Sequence, residues 1–372
     1  MTATRARDLG ITIGTIAPGP LNAITDVAGV TVGMTTLIHG EGPLVVGQGP
    51  VRTGVTVVMP HEGIAHGPVF AGHHVLNGNG EMTGLAWVEE SGQLTTPIAI
   101  TNTHSVGIVR DALVADEVGR RDRRGSFWSL PVVAETYDGA LNDINGMHVT
   151  AAHVHQAIAA AAGGPVPEGN VGGGTGMICH EFKGGTGTAS RVTATGWTVG
   201  ALVQANHGER ERLMIDGVPV GRELPRSAIS SAWDEEEAIA RAGAGSIIVV
   251  IATDAPLLPH QLRRVAQRAG LGIARAGGAG GHSSGDIFIA FSTANAGRLH
   301  SYKIESETTA IDVTMLPDGA ITDLFWAAIE STEEAIVNAM VAAETMTGRD
   351  GITAHALPHE ELAAAIRRYG RV

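Results

Sequence analysis

The stretch that most constrains this chain is Ala242–Asp254, which reads AGAGSIIVVIATD. Residues Ile247 to Ile251 are an unbroken β-branched run, the pattern of a strand buried on both faces. Just before it a small, flexible run ends at Gly245, and the hydroxyl of Ser246 opens the strand. Such a strand needs a covering layer on each side.

Further strand-like segments are expected at Val30–Thr36, Gly54–Met59, Pro68–Leu76, Thr96–Asn102, Leu130–Tyr137 and Asp286–Ser292, with a hairpin of Thr188–Thr195 and Trp197–Asn206 turning at Gly196. Helices are expected from His104-Ser105 to about Val118, over Thr150–Ala162, over Pro259–Ala276, and at about 319–346 and 359–369. Strands come in runs as well as alternating with helices. Stacked sheets covered by helices therefore fit better than one doubly wound parallel sheet. Only 4% of the chain is aromatic while 51 residues are glycine, so its core must be close-packed Ala, Val, Ile and Leu.

The formal charge of −13 leaves no basic excess for nucleic acid or an anionic membrane, and neither is expected as a partner. Arg120, Arg121, Arg123 and Arg124 are the one basic run, read as a solvated helix end or a subunit contact. Cys179 is the single cysteine, which excludes an internal disulfide framework. Beside Met177 and Ile178 it reads as a small core residue. The first residues, MTATRARDLGITIG, lack an apolar signal core, and no apolar run approaches ~18 residues. A cytoplasmic protein is expected.

Most apparent motifs carry no chemistry. Asn77–Gly84 (NGNGEMTG) has the wrong glycine spacing for a dinucleotide loop, and no helix is expected after it. The glycine block from Asn170 to Arg191 lacks a phosphate-loop ending and reads as tight turns or close packing, with a substrate-facing backbone as the alternative. The pairs His73-His74, His153/His155 and His355/His359 match no metal signature, and no metal or cofactor is expected. No GxSxG elbow surrounds Ser246. The polar connection 217–245, with its acidic run Asp234–Glu237, is long enough to be functional or disordered.

The Gly245–Ser246 bond is different. Glycine offers little bulk and tolerates unusual backbone angles, so the serine hydroxyl can attack the preceding carbonyl. Hydrolysis of the resulting ester would leave Ser246 with both a hydroxyl and a free α-amine, whose ordinary pKa of about 7.7–8 suits a general base. One residue would then supply nucleophile and base. An ordinary loop-to-strand junction is the plain alternative.

Ordered blocks from about Asn22 to Asn295 resemble one family. They are NAITDVAGVTVG (22–33), NGNGEMTG (77–84), TNTHSVG (101–107), VVAETYDG (132–139), GNVGGGTGM (169–177), KGGTGTASR (183–191), GALVQAN (200–206), GSIIVVIATDAPLLPHQL (245–262) and GHSSGDIFIAFSTAN (281–295). The chain resembles the DmpA-type peptidases, the L-aminopeptidase/D-Ala-esterase-amidases and β-peptidyl aminopeptidases.

The resemblance implies an α/β fold: a four-layer αββα sandwich like that of N-terminal-nucleophile hydrolases and ornithine acetyltransferases. It implies one self-processing domain, 1–372, cut at Gly245/Ser246 into fragments 1–245 and 246–372 that stay together. Several pairs would form a homo-oligomer, typically a tetramer of pairs. The implied substrates are short peptides, amides or esters with a free amine.

By matching motif, Ser246 would be nucleophile and its amine the base, with Ser284 and Asp286 positioning both. Asn206 would serve the oxyanion, Tyr137 the tetrahedral intermediate and Glu135 the substrate ammonium. Capping for Asp286, and a tether to the Asn142/Asp143 turn for Tyr137, are the structural alternatives. Met34 departs from the histidine of many relatives, and the export signal of some β-peptidyl members has no counterpart. The rival readings are an ornithine-acetyltransferase-type acyltransferase, which would use threonine at the cut, and a non-processing binding protein.

Overall fold

The computed structural model describes residues 3–121, 126–233, 245–299 and 310–371. Arg123, Arg124 and the run Asp234–Glu237 lie outside them. In chain order the strands begin with β1 (Thr31–His39), β2 (Val51–Met59), β3 (Val69–Gly78), β4 (Gln93–Leu94), β5 (Ile98–Asn102) and β6 (Val132–Thr136). The short β7 (Ile178–Cys179) and β8 (Phe182–Lys183) follow, then β9 (Gly185–Val192), β10 (Thr198–Asn206), β11 (Gly245–Thr253) and β12 (Ser284–Ser292). The helices are α1 (Leu85–Ser91), α2 (Val106–Arg120), α3 (Ala151–Ala159), α4 (Val220–Glu223), α5 (Pro259–Arg275), α6 (Thr322–Val341) and α7 (His359–Arg368).

Two sheets form the centre. One has the order β1-β2-β5-β6, the other β4-β3-β12-β11-β10-β9. Pairing is antiparallel except at β5/β6 and β11/β12. Helices α2 and α3 pack on the four-stranded sheet, and α5 and α6 on the six-stranded one, giving the αββα order. Strand β11 shows why. Ile247, Val249 and Ile251 join the cluster built with α5 and α6, while Ile248, Val250 and Ala252 join the cluster shared with the facing sheet. Period-two alternation sends successive side chains to opposite layers, and each full burial contributes about 1.5–3 kcal/mol.

One expectation needs correction. Helix α1 does follow the NGNGEMTG loop, started by Gly84 in the left-handed region at φ 76°. The glycine block serves close packing, the first of its two readings. A Cβ on Gly187 would stand 2.0 Å from the Ala335 carbonyl oxygen of α6, so only glycine lets helix and strand approach this closely.

Helix α6 is unusual. Every residue from Leu324 to Val341 except Trp326 is buried, including Glu330, Glu333 and Glu334. Glu330 and Glu334 meet arginines from the other side of the Gly245–Ser246 junction. Arg191, fully buried, bonds Glu330 at 3.1 Å and Glu334 at 2.7 Å, and Arg7 reaches Glu334 at 2.8 Å. Asn22 adds a 2.6 Å bond to Glu334. Among the described residues, no helix is long and apolar enough to cross a membrane.

Candidate active site

The parallel pair β11/β12 and the end of β10 converge on Ser246, in register with Gly285 on one side and Asn206 on the other. Its hydroxyl donates to the Gly245 carbonyl at 2.7 Å and accepts the Gly285 N–H at 3.2 Å. Nucleophile and adjacent carbonyl are therefore already in contact. Gly245 sits at φ 130°, and a Cβ there would lie 2.4 Å from the Asn206 carbonyl oxygen. No other residue fits without strain.

A cavity of about 480 Å³ opens over this junction, lined by Gly245, Ser246, Asn206, Tyr137, Glu135 and the Asn79–Glu81 loop, among others. Glu135, on β6 of the facing sheet, is held at both oxygens: Oε1 accepts the Glu81 N–H at 2.9 Å and Oε2 accepts the Thr103 hydroxyl. Burial pushes its carboxyl above the ordinary range, opposed by those hydrogen bonds. An ammonium group is the natural partner for a carboxylate so enclosed. Tyr137 lies just past the end of β6, half exposed at the cavity mouth. The Asn142/Asp143 turn is tied elsewhere, to Asp138 through Asn142 and to Gly47 through Asp143.

Asn206 is oriented by two bonds. Its Oδ1 accepts the Ile178 N–H at 2.9 Å, and its Nδ2 donates to the Tyr137 carbonyl at 3.0 Å. The amide carries a second N–H, available to an oxygen bound over Ser246.

Ser284 and Asp286 form their own pair, with the Ser284 hydroxyl donating to Asp286 Oδ1 at 2.6 Å. They occupy alternate positions of β12 in phase with Phe288 and Ala290, which pack toward α5 and α6. The Ser246 side chain is in phase with Ile248 and Val250, on the intersheet face. The pair therefore lies behind the Ser246 backbone, on the opposite face of the sheet from its hydroxyl. The Ile247 N–H donates to Asp286, and burial raises this carboxyl. Its Oδ2 is buried with no hydrogen-bond partner among the described residues.

Sequence reasoning missed Thr103, which secures Glu135, and the cavity-lining Ile178, Glu181 and Trp233. Their signal is weak because each comes from a different loop or strand end. It also missed a buried group under Asn206: Cys179, His180, Lys183 and His207. Burial pushes the Cys179 thiol up to about 12, His180 down to about 4 and Lys183 down to about 7.

An αββα sandwich with a serine opening a central strand, beside a buried carboxylate and an oriented amide, defines a serine aminopeptidase of the N-terminal-nucleophile hydrolase type. The profile of peptidase family S58 matches residues 22–354, and the chain belongs to that family. It is 52% identical over 380 residues to the β-peptidyl aminopeptidase BapA of Sphingosinicella microcystinivorans, covering 99% of this chain and 93% of that protein. The structure of a Burkholderia sp. β-aminopeptidase superposes with TM-score 0.91 at 54% identity, over 99% of both chains. The L-aminopeptidase D-Ala-esterase/amidase of Ochrobactrum anthropi, described as a prototype for the serine aminopeptidases and a variant among the Ntn hydrolase fold, superposes with TM-score 0.88 at 50% identity, over 99% of both chains. The protein is a serine-type aminopeptidase, and the acyltransferase reading is not favoured.

Proposed function

We propose that residues 1–372 are one self-processing domain that cuts the Gly245–Ser246 bond and then uses Ser246 to release N-terminal residues from short peptides, amides and esters. The observation that carries this is the 2.7 Å contact of the Ser246 hydroxyl with the Gly245 carbonyl, at the floor of a cavity holding Glu135 and Asn206. In the first step Oγ bonds to the Gly245 carbonyl carbon, the C–N bond breaks, and the Oγ proton passes to the departing nitrogen. Water then hydrolyses the ester, freeing the Gly245 carboxylate and the Ser246 hydroxyl.

In turnover the α-amine of Ser246 takes the proton from Oγ as it attacks the substrate carbonyl and returns it to the leaving amine as the C–N bond breaks; water then cleaves the Oγ ester, releasing the N-terminal residue and restoring the hydroxyl. Ser284 and Asp286, behind the strand, position this amine and the serine that carries it. Asn206 donates to the oxyanion, Tyr137 assists the tetrahedral intermediate at the cavity mouth, and Glu135 binds the substrate ammonium. The buried ion pairs of α6 with Arg7 and Arg191 keep fragments 1–245 and 246–372 together. Pairs of fragments associate as a homo-oligomer, a tetramer of pairs, with short amine-bearing substrates as the partners.

Likeness to both β-peptidyl aminopeptidases and an L-aminopeptidase supports acceptance of N-terminal β-amino residues beside L-amino acids. Intact-mass measurement tests the cut: wild type gives two fragments, and Ser246→Ala stays one chain. A wild type that is active and wholly uncut overturns the mechanism. Release of p-nitroaniline from L-Ala, D-Ala and β-homo-Ala anilides tests the preference. An enzyme blind to β-homo-Ala refutes the substrate assignment.

A further inference from the structure

Behind the Asn206 amide lies a cluster that the aminopeptidase chemistry does not use. Cys179 and His180 span the end of β7, and His207 follows β10 directly. All three are buried, and one ligand-type atom from each lies within 4.8 Å of the other two. The Cys179 Sγ stands 3.9 Å from His207 Nδ1, and the two imidazoles meet edge to face with centroids 5.3 Å apart.

The His180 imidazole is held as a ligand is held, and His207 turns its Nδ1 to Cys179 Sγ. His180 Nδ1 lies 3.0 Å from the Glu209 carbonyl, so this nitrogen carries the proton and Nε2 keeps a bare lone pair. That Nε2 is buried and has no hydrogen-bond partner among the described residues, and the same holds for His207 Nε2. Buried polar atoms left in this way call for an explanation. The His180 N–H also donates to the His207 carbonyl at 2.7 Å, which locks the two histidine backbones together. His180 and Glu181 both adopt positive φ, at 48° and 63°, where non-glycine residues are uncommon.

We infer that Cys179, His180 and His207 form a binding site for one thiophilic divalent cation of the Zn²⁺ class, bracing the strand ends beneath the active-site amide. One sulfur and two imidazoles are a zinc-type donor set, with the fourth position left to water. Zinc bonds of about 2.3 Å to sulfur and about 2.0–2.1 Å to nitrogen put tetrahedral S and N ligands about 3.6 Å apart, close to the contact already present.

Binding exchanges the Cys179 thiol proton for a sulfur–metal bond, and the proton leaves to solvent. His207 lines both the active-site cavity and a second cavity of about 30 Å³ bordered by Asp286, so the cation has a way in. Two positive charges oppose the ion: Lys183, whose ammonium is engaged by the Met177 and Gly184 carbonyls at 2.8 Å each, and Arg210, whose guanidinium bonds the His180 and Glu181 carbonyls. Once bound, the cation ties Cys179 to His207, one residue beyond each end of the Ile178–Asn206 hydrogen bond.

The test titrates the reduced, dialysed full-length protein with Co²⁺ alone. A thiolate-to-cobalt charge-transfer band is expected, saturating at one equivalent, bleached by one equivalent of Zn²⁺ and absent from Cys179→Ser. The chain has a single cysteine, so none of its 16 histidines can produce this band elsewhere. His180→Gln and His207→Gln must each weaken Co²⁺ binding at least tenfold, and Zn²⁺ must raise the melting temperature of wild type but not of Cys179→Ser. Folded wild-type protein giving no band in excess Co²⁺ overturns the proposal, whatever the variants do. A band that survives both histidine substitutions undiminished overturns it equally.

Discussion

Replacing Asn206 by Ala tests the site most directly, because the structure fixes what is lost. The side chain accepts the Ile178 N–H, donates to the Tyr137 carbonyl and has one N–H free above Ser246. Truncation leaves the buried Ile178 N–H unpaired, which costs about 1–3 kcal/mol of stability. It also removes the oxyanion donor, which costs about 2.7–4 kcal/mol in the transition state, or about 10²–10³ in kcat. The two effects are read separately: stability by denaturant titration, and kcat and KM on an amino-acid p-nitroanilide. The rate is taken per cut chain, with the cut fraction set by intact mass. A donor used only in the transition state lowers kcat and kcat/KM together and leaves KM in place. If the cut Asn206→Ala enzyme keeps kcat within about threefold, or its defect lies wholly in KM, the oxyanion assignment is wrong.

Glu135→Gln keeps an acceptor for the Glu81 N–H and turns an amide N–H toward the Thr103 hydroxyl, which can accept it, but loses the charge, so KM for amine-bearing substrates should rise at least about tenfold; an N-acetylated ester, lacking the ammonium, serves as the comparison and should be little affected. Arg191→Met leaves Glu330 without its arginine and Glu334 with only Arg7 and Asn22, and breaking such a buried network should cost about 3–5 kcal/mol in denaturant melts at neutral pH. A loss below about 1 kcal/mol would mean the network contributes little. Lys183 is lowered from 10.5 to about 7, so above pH 7 the unfolded chain binds more protons and stability rises with pH. Cys179, raised from 9.0 to about 12, opposes this above pH 9. The rise should therefore appear between pH 7 and 9 and vanish in Lys183→Met, as followed by denaturation midpoints across that range.

Much was legible in order along the chain. Local pattern suffices where one property repeats, so the β11 run, the β9/β10 hairpin and helices α5 and α7 are found within a few residues. The helix after Gly84 was not, because its start depends on a left-handed glycine rather than on a capping side chain. Helix α6 was expected, but not its burial on nearly every side, since its three glutamates are buried only because Arg7, Arg191 and Arg275 arrive from distant segments.

The site divides in the same way. The amino-acid sequence by itself determined the junction: a hydroxyl after the one residue type that tolerates φ 130°, at the mouth of a strand apolar on both faces. Resemblance added the partner residues, but not which side of the strand each occupies. Only the tertiary structure placed Ser284 and Asp286 behind the Ser246 backbone, and set Cys179 beside His207, 28 residues on. Strand alternation is written locally, in a period of two. Juxtaposition across sheets is not, because it depends on which faces the packing of the whole core turns toward each other.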